Sequence, residues 1–387
     1  MTSNPTSRDY NKASVLEVVV SRAPLTRNEV IELTGLSKAT VSRAVEELRA
    51  DGFVADGGVD AVAGRGRRST YLDVPGTAGH VAGVSFGVQT TGVLVADLRG
   101  REVGHVVVPT VNHDEAGDAA KWLADLIEET AGAGRGPLRQ IVVAVPGRVR
   151  NGAEIFGPAR SAKVFTGSGL QRALVDLVEA PVFLDSDANA SLLGILAEDA
   201  SVGNAALFNV SSVLNFAGCT GHELVRGRTP AFGGIGVLCA GVGEETLDGL
   251  MSARGLLKFA RGRGLDLKRV EELWRGRRDG EARAAVLDAF TTAIVTAISA
   301  VAVTLDPETV YFAGRLSPLV EEVLPEVRSR LDRILPPAPE IKVVTQVVGL
   351  STARGAVFAC LTPARDRLRD AVIEARGRRA ARPAPAF

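Results

Sequence analysis

A short stretch near the N-terminus concentrates residues able to read a polyanion. Between Ser37 and Ala50, Ala39 and Arg43 stand at the centre of a small, polar helical face, flanked by Lys38, Thr40 and Ser42. Arginine pairs with the acceptor edge of guanine, alanine and threonine methyls meet thymine methyls, and hydroxyls at a helix N-terminus hold phosphate oxygens. Small side chains also let the helix backbone approach base edges. Further on, Arg65, Arg67 and Arg68 lie in a loop rich in glycine and arginine from Gly57 to Arg68. Guanidinium groups there can lie along a phosphate backbone or enter a minor groove. The chemistry to expect is recognition of double-stranded DNA.

Those side chains need a rigid carrier, and the flanking sequence supplies one. Val15, Leu16, Val18 and Val19 have helical spacing within Asn11 to Ser21 and leave Asn11, Lys12 and Glu17 for solvent. Thr26 and Glu29 make a capping box for a short helix carrying Val30, Ile31 and Leu33. Gly35 ends it, being free to turn left-handed, and Ser37 starts the next helix as N-cap. Val41, Ala44, Val45 and Leu48 form the apolar face of that helix, opposite Ala39 and Arg43. Gly52 to Ala55 and Ser69 to Leu72 flank the basic loop as two short strands, a wing. Helix, tight turn, helix and basic hairpin in this order predict a winged helix-turn-helix domain over residues 1–75.

At 387 residues the chain exceeds one simple core, so at least one further folding unit follows. Apolar residues make up 46% and charged residues 23%, as in a soluble globular protein. Zero net charge argues against indiscriminate polyanion binding but leaves room for a local patch. No apolar run approaches the roughly 20 residues of a membrane span, and Met1 to Tyr10 contains no signal-peptide core. The expected location is cytoplasmic, with no membrane partner. Cys219, Cys239 and Cys360 are far apart and are expected as buried thiols. Arg365 to Arg382, of mixed charge and ending in Ala, Arg and Pro, is expected to be a frayed tail.

From residue 76 to 387 the pattern is α/β. His80 to Phe86, Thr91 to Ala96 and Glu102 to Val108 read as a three-stranded meander, followed by a helix over Ala116 to Thr130 and a strand over Gln140 to Val145. A similar order recurs: strand Ala205 to Val210, a glycine-rich stretch to Gly236, helices from Glu244 to Leu305, strand Thr309 to Ala313 and a helix from Ser317. Two β-rich halves with helical insertions predict two lobes and, between them, a cleft suited to a small ligand.

Here the chain resembles the ROK family (repressors, open reading frames, kinases) in its regulator branch, related to the xylose, glucose and N-acetylglucosamine repressors. The resemblance is carried by LTRNEVIELTGLSKATVSRAVEELRADGFV, GRGRRSTYLDV, AGVSFGVQTTGVLVADLRG, VAVPGRV, LDSDANASLLGILAE, RGRTPAFGGIGV, VYFAGRLSPL and STARGAVFACL. It implies the actin-like ATPase fold shared with sugar kinases, placed behind the winged helix and used for oligomerisation and effector binding. The partners implied are an inverted-repeat DNA operator, further copies of the chain as homodimer or homotetramer, and a sugar or sugar-phosphate effector.

The same resemblance allows catalysis to be weighed. Asp187 matches the family's catalytic aspartate and Asn189 its neighbour, although Asp187 can equally be read as the cap of a helix beginning near Ala188. The phosphate loops depart: Ser85-Phe86-Gly87-Val88-Gln89 stands for Asp-x-Gly-Gly-Thr, and Ser211 to Gly218 carries Val213, Leu214 and Phe216, expected to fill phosphate space. Gly233-Gly234-Ile235-Gly236-Val237 replaces a Gly-Glu-x-Gly-His whose Glu and His hold sugar hydroxyls and whose His binds zinc. Only Cys239 remains of the cysteine segment that follows, so no zinc or other cofactor is expected. Glu244 or Glu245 is left as a polar effector contact or a simple helix-start carboxylate, and His222 is the histidine expected near the cleft. Asp187, Asn189, Glu244 and Glu245 are thus the candidate effector contacts. The readings to separate are a DNA-binding repressor of carbohydrate metabolism, a DNA-binding regulator that no longer senses sugar, and an ATP-dependent sugar kinase.

Overall fold

The computed structural model describes residues 6–57, 70–156, 163–199, 201–229, 231–275, 280–344 and 350–379. Helix α1 (Ser7–Arg22) starts earlier than its apolar spacing indicates, because Thr6 and Asp9 form a capping box of their own. Strand β1 (Leu25–Thr26) leads into α2 (Arg27–Thr34), where Thr26 accepts a hydrogen bond from the Glu29 N–H. Gly35 closes α2 in a left-handed conformation, φ 66°, and the Ser37 hydroxyl caps α3 (Lys38–Ala50) by accepting from the Thr40 N–H. Val41, Ala44, Val45 and Leu48 of α3 are buried in one cluster with Val15, Leu16 and Val19 of α1 and Val30 of α2. Strands β2 (Ala55–Gly57) and β3 (Tyr71–Asp73) pair antiparallel, and β1 adds to the far edge of β3.

The first lobe contains β4 (His80–Phe86), β5 (Thr90–Asp97), β6 (Glu102–Pro109), α4 (Ala116–Ala131), β7 (Leu138–Val145), β8 (Arg148–Arg150), β9 (Glu154–Phe156), β10 (Thr166–Gly167), α5 (Gly169–Leu177) and β11 (Val182–Ser186). Its main sheet has the order β11-β7-β4-β5-β6, while β8, β9 and β10 make a small antiparallel sheet. Helix α6 (Asp187–Glu198) leads to the second lobe. That lobe contains β12 (Ala205–Val210), β13 (Leu214–Thr220), β14 (Glu223–Leu224), α7 (Leu247–Met251), α8 (Ala253–Gly262), α9 (Glu272–Arg275), α10 (Glu281–Leu305), β15 (Thr309–Ala313), α11 (Ser317–Ile334) and β16 (Glu340–Val344). Its sheet order, β14-β13-β12-β15-β16, repeats the first: three antiparallel strands, then two parallel additions.

The last helix, α12 (Leu350–Arg379), joins the parts. Strand β4 is buried along its whole length because it is covered on both faces: Ala82, Val84 and Phe86 share a core with α4, and α12 packs on the other face. Contact there is backbone to backbone, since a Cβ on Gly83 would lie 2.2 Å from the Ala353 carbonyl oxygen. Arg365 onward, expected as a frayed tail, instead continues α12 to Arg379. Ala364, Leu368 and Val372 are buried in the cluster that holds α1, and α12 packs directly on α1. Arg365 Nε donates to the Leu98 carbonyl at 2.9 Å, and Arg369 faces Glu17 of α1 at 3.8 Å. Asp73, at the end of the wing, accepts from Arg99 at 2.9 Å through both carboxylate oxygens and faces Arg101 at 3.5 Å, a second tie between the winged helix and the first lobe.

Two further expectations need correction. Helix α10 is, among the described residues, long and apolar enough to cross a membrane, with a mean hydropathy of 1.9 in its most apolar window. Phe290, Ile294, Val295, Ile298 and Val301 place it at the centre of the second lobe's core, and its many alanines conceal the run in the sequence. Of the three cysteines, Cys219 and Cys360 are buried but Cys239 is exposed.

Candidate functional site

The surface of α3 divides into two halves. In the C-terminal half, Glu47 pairs with Arg8 of α1, Glu46 takes Arg27 of α2 at 2.7 Å, and Arg49 bridges to Glu46 and Asp56. These ion pairs fasten the helix to its scaffold. In the N-terminal half, Ser37, Lys38, Ala39 and Arg43 are exposed while Thr40 and Ser42 are half-buried. Neither Lys38 nor Arg43 has a carboxylate partner among the described residues. The Ser37 hydroxyl is committed to the Thr40 N–H and hydroxyl, so it fixes the helix start rather than reaching outward. An unpaired cationic, small-residue helix start on a three-helix scaffold suits a major groove. Arg65, Arg67 and Arg68 lie outside the described residues.

The second site is a cavity of about 400 Å³ between the lobes. Its walls come from β7 and β8 (Gln140, Arg148, Asn151), from β11 and α6 (Asp185, Ser186, Asn189), from the second lobe (Asn215, Phe216, Arg226, Thr229, Phe232, Gly233) and from α12 (Ala359, Pro363). Asp185 is buried, accepts from the Ser186 N–H at 2.8 Å and from Asn189 Nδ2 at 2.7 Å, and pairs with Arg226 at 2.8 Å. Clefts of this size with convergent amide and charged groups hold small polar ligands.

Residues 81–359 match the ROK family model. The chain belongs to the ROK family. Residues 9–64 match a MarR family model, over the winged helix. The xylose repressor of Caldicellulosiruptor bescii is 26% identical over 194 residues, 48% of this chain and 47% of that protein, so the chain spans about half the length of this relative. A crystal structure of a ROK family transcriptional regulator, a homolog of the E. coli MLC protein, superposes with a TM-score of 0.70 at 14% identity, covering 95% of this chain and 99% of that one. The ROK hexokinase of Thermus thermophilus gives a TM-score of 0.62 at 22% identity, over 74% of this chain and 99% of the hexokinase. The fold is a winged helix followed by a two-lobed, sugar-kinase-like ROK body.

Within the ROK body, the structure separates the expected ligand contacts. Asn189 lines the cavity. Asp187 sits beside it, its carboxylate accepting from Asn215 Nδ2 at 3.0 Å and Asn209 Nδ2 at 3.2 Å, which ties α6 to β13 and β12. It is not the helix cap: Ser186 caps α6 by accepting from the Asn189 N–H. Glu244 and Glu245 do not line the cavity. Glu244 is exposed, and Glu245 sits in the turn before α7 with its backbone bonded to Ala240 and Val242. The acid that turns inward nearby is Asp248, which accepts from the Leu214 N–H at 2.7 Å. His222 also lies away from the cleft, at the β13–β14 turn. Leu214 and Phe216 are buried in the second lobe's core cluster, and Phe216 also lines the cavity beside Asn215. Val237, at the family's zinc-binding histidine position, is 79% exposed. Among the described residues no three His, Cys, Asp or Glu side chains gather as a metal site, at Cys239 or elsewhere. These residues do not fit the family zinc. The sequence reading missed Arg148, Asp185 and Arg226, whose roles depend on partners distant in the chain.

Burial pushes the Asp187 carboxyl up from 3.8 to about 7, against the Ala188 N–H and the Asn215 amide, which favour the ionised form. An acid whose native pKa exceeds its unfolded one gives full stability below about 3.8, lost as pH rises through about 7. Asp187→Asn is therefore expected to raise the unfolding temperature near pH 8 by roughly 2–4 °C and to leave it unchanged near pH 4. Thermal unfolding of both proteins across that range checks this; parallel pH profiles would show that Asp187 is not the titrating group.

Proposed function

We propose that this chain is a DNA-binding transcriptional repressor of carbohydrate or related metabolism. It works in the cytoplasm as a homodimer or homotetramer on inverted-repeat operators and answers to a small effector in the interlobe cleft. The observation that carries this reading is the exposed N-terminal half of α3, with Lys38 and Arg43 unpaired while the other half is fastened by ion pairs. The likeness to xylose repressors supports it. Two such helices related by a two-fold axis would read two half-sites.

The experiment is a mobility-shift and footprinting assay on the chain's own upstream region and a genomic fragment library. Wild type is expected to shift a defined site, and Arg43→Ala to weaken it by about tenfold or more, the usual cost of a lost arginine–guanine contact. A wild-type protein that shifts no genomic fragment would overturn the reading. The loss of side chains at Gly234 and Val237 favours a second version, in which DNA binding persists without response to neutral sugars. Neither catalysis nor zinc belongs to the proposal: the phosphate loop Ser85 to Gln89 lacks its acid, and Asp187 alone stands at a catalytic position. ATP-dependent phosphorylation of a hexose by wild type but not by Asp187→Asn would contradict this.

A further inference from the structure

A second cavity, of about 550 Å³, lies on the α4 side of the first lobe's sheet and shares no lining residue with the interlobe cleft. Helix α4, the loop after it and the end of α5 surround it, and Ile127, Leu138, Ile141 and Val178 give it an apolar floor. One polar ring stands among them. His80 opens β4, and because Ala82, Val84 and Phe86 share a core with α4, strand alternation turns the His80 side chain toward the same side.

His80 is 8% exposed, and its Nδ1 lies 2.9 Å from the Gly136 carbonyl oxygen. A carbonyl only accepts, so Nδ1 carries the proton and Nε2 of the neutral ring is an acceptor. Burial lowers the pKa of the ring against the bond to Gly136, and Arg135 acts in the same direction as burial. Nε2 has no partner among the described residues and is not sealed from solvent, so it is left facing the cavity that His80 lines.

The rim carries both signs of charge. Lys121 and Arg135 stand there with Asp125, Glu128 and Glu179, all exposed, and none is ion-paired among the described residues. Exposed charge pairs contribute little each, so affinity comes mainly from the floor and the His80 acceptor, while the rim selects by charge. A molecule that suits all three has an apolar body, a hydroxyl at its buried end, and an ammonium and a carboxylate at its open end.

We propose that this cavity is a second small-molecule site, for an amino-acid-like zwitterion with an apolar body and a hydroxyl that donates to His80 Nε2. The loop carrying Arg135 also grips the segment between the wing and β4. The Gly136 N–H donates to the Gly76 carbonyl at 3.2 Å, and a Cβ on Gly136 would lie 2.0 Å from the Thr77 carbonyl oxygen. An occupant therefore bears on the joint between the winged helix and the first lobe, although its binding depends neither on the interlobe cleft nor on DNA.

Calorimetric titration of the full chain with tyrosine, phenylalanine, tyramine and desaminotyrosine tests it. Tyrosine is expected to bind at millimolar concentration or below. Phenylalanine, which lacks the hydroxyl, and the two analogues that each keep one charge are expected to bind about tenfold or more weakly. His80→Phe, which removes the acceptor, and Ala124→Phe, which sends a ring from α4 into the cavity, are each expected to weaken tyrosine by about tenfold or more. The second variant keeps the test valid should His80→Phe not fold. No binding of tyrosine at millimolar concentration, equal binding of phenylalanine or of either singly charged analogue, or an unchanged tyrosine affinity in either folded variant would overturn the proposal.

Discussion

Replacing Gly355 by valine is expected to abolish recovery of folded protein, and Gly355→Ala to lower stability by more than about 4 kcal/mol, beyond the range of ordinary substitutions. Helix α12 crosses α6 at this glycine with no side chain between the backbones. An added Cβ would stand 1.7 Å from the Ala190 carbonyl oxygen and 2.7 Å from both Ala190 C and Gly194 N. The atoms met are backbone on both sides, so no side chain can swing away, and the helices must separate. Separation would also open the seam at Gly83, where α12 lies against β4. The same change at Gly117, an exposed glycine in the first turn of α4 with nothing within 4 Å of its Cβ position, is expected to be neutral or to stabilise by up to about 1 kcal/mol. Chemical denaturation of the two alanine variants checks the contrast. A Gly355→Ala protein as stable as Gly117→Ala would mean that the crossing is not close-packed.

Local rules account for what the sequence revealed. Thr26, Glu29, Gly35 and Ser37 act on neighbours within four residues, so α2, the tight turn and the start of α3 are legible from residue type alone. Strands β4, β12 and β15 are legible because both sheet faces are covered and their apolar runs are continuous. Features decided by distant partners were not legible. Leu25 and Thr26 are a strand only because β3 offers an edge. The apolar positions Ala364, Leu368 and Val372 are four residues apart, but Pro363 just before them and the surrounding arginines disguise one continuous helix as a tail. Glu244 and Glu245 stand beside a motif in the sequence, whereas it is Asp248 that the chain direction turns toward Leu214. Arg148 could not be matched to Gly234 from sequence, because their approach depends on closure between two lobes.

The most consequential expectation concerns coupling between the cleft and the winged helix. Ala359 and Pro363 of α12 line the cavity, and the adjoining Ala364 and then Leu368 enter the cluster shared with α1. Pro363 has no N–H to return to the Ala359 carbonyl, so the helix lacks one backbone hydrogen bond where it lines the cavity. A ligand that shifts the lobes acts on one continuous helix whose far end carries α1, and α1 carries α3 through Arg8–Glu47 and their common core. Leu368→Ala removes a buried anchor of that far end, at a cost of about 2–5 kcal/mol. The expected result is a protein that keeps its effector affinity within about twofold, because Leu368 does not line the cavity, while effector no longer changes operator affinity. Linkage makes the reciprocal measurement decisive: if effector changes operator affinity by some factor in wild type, operator must change effector affinity by the same factor, and both must fall toward one together in Leu368→Ala. Operator titrations with and without saturating effector, paired with effector titrations with and without operator, give both factors. Full coupling retained in the variant would mean that the signal leaves the cleft by another path, with the ties of Asp73 to Arg99 and Arg101 between wing and first lobe as the next connection to test.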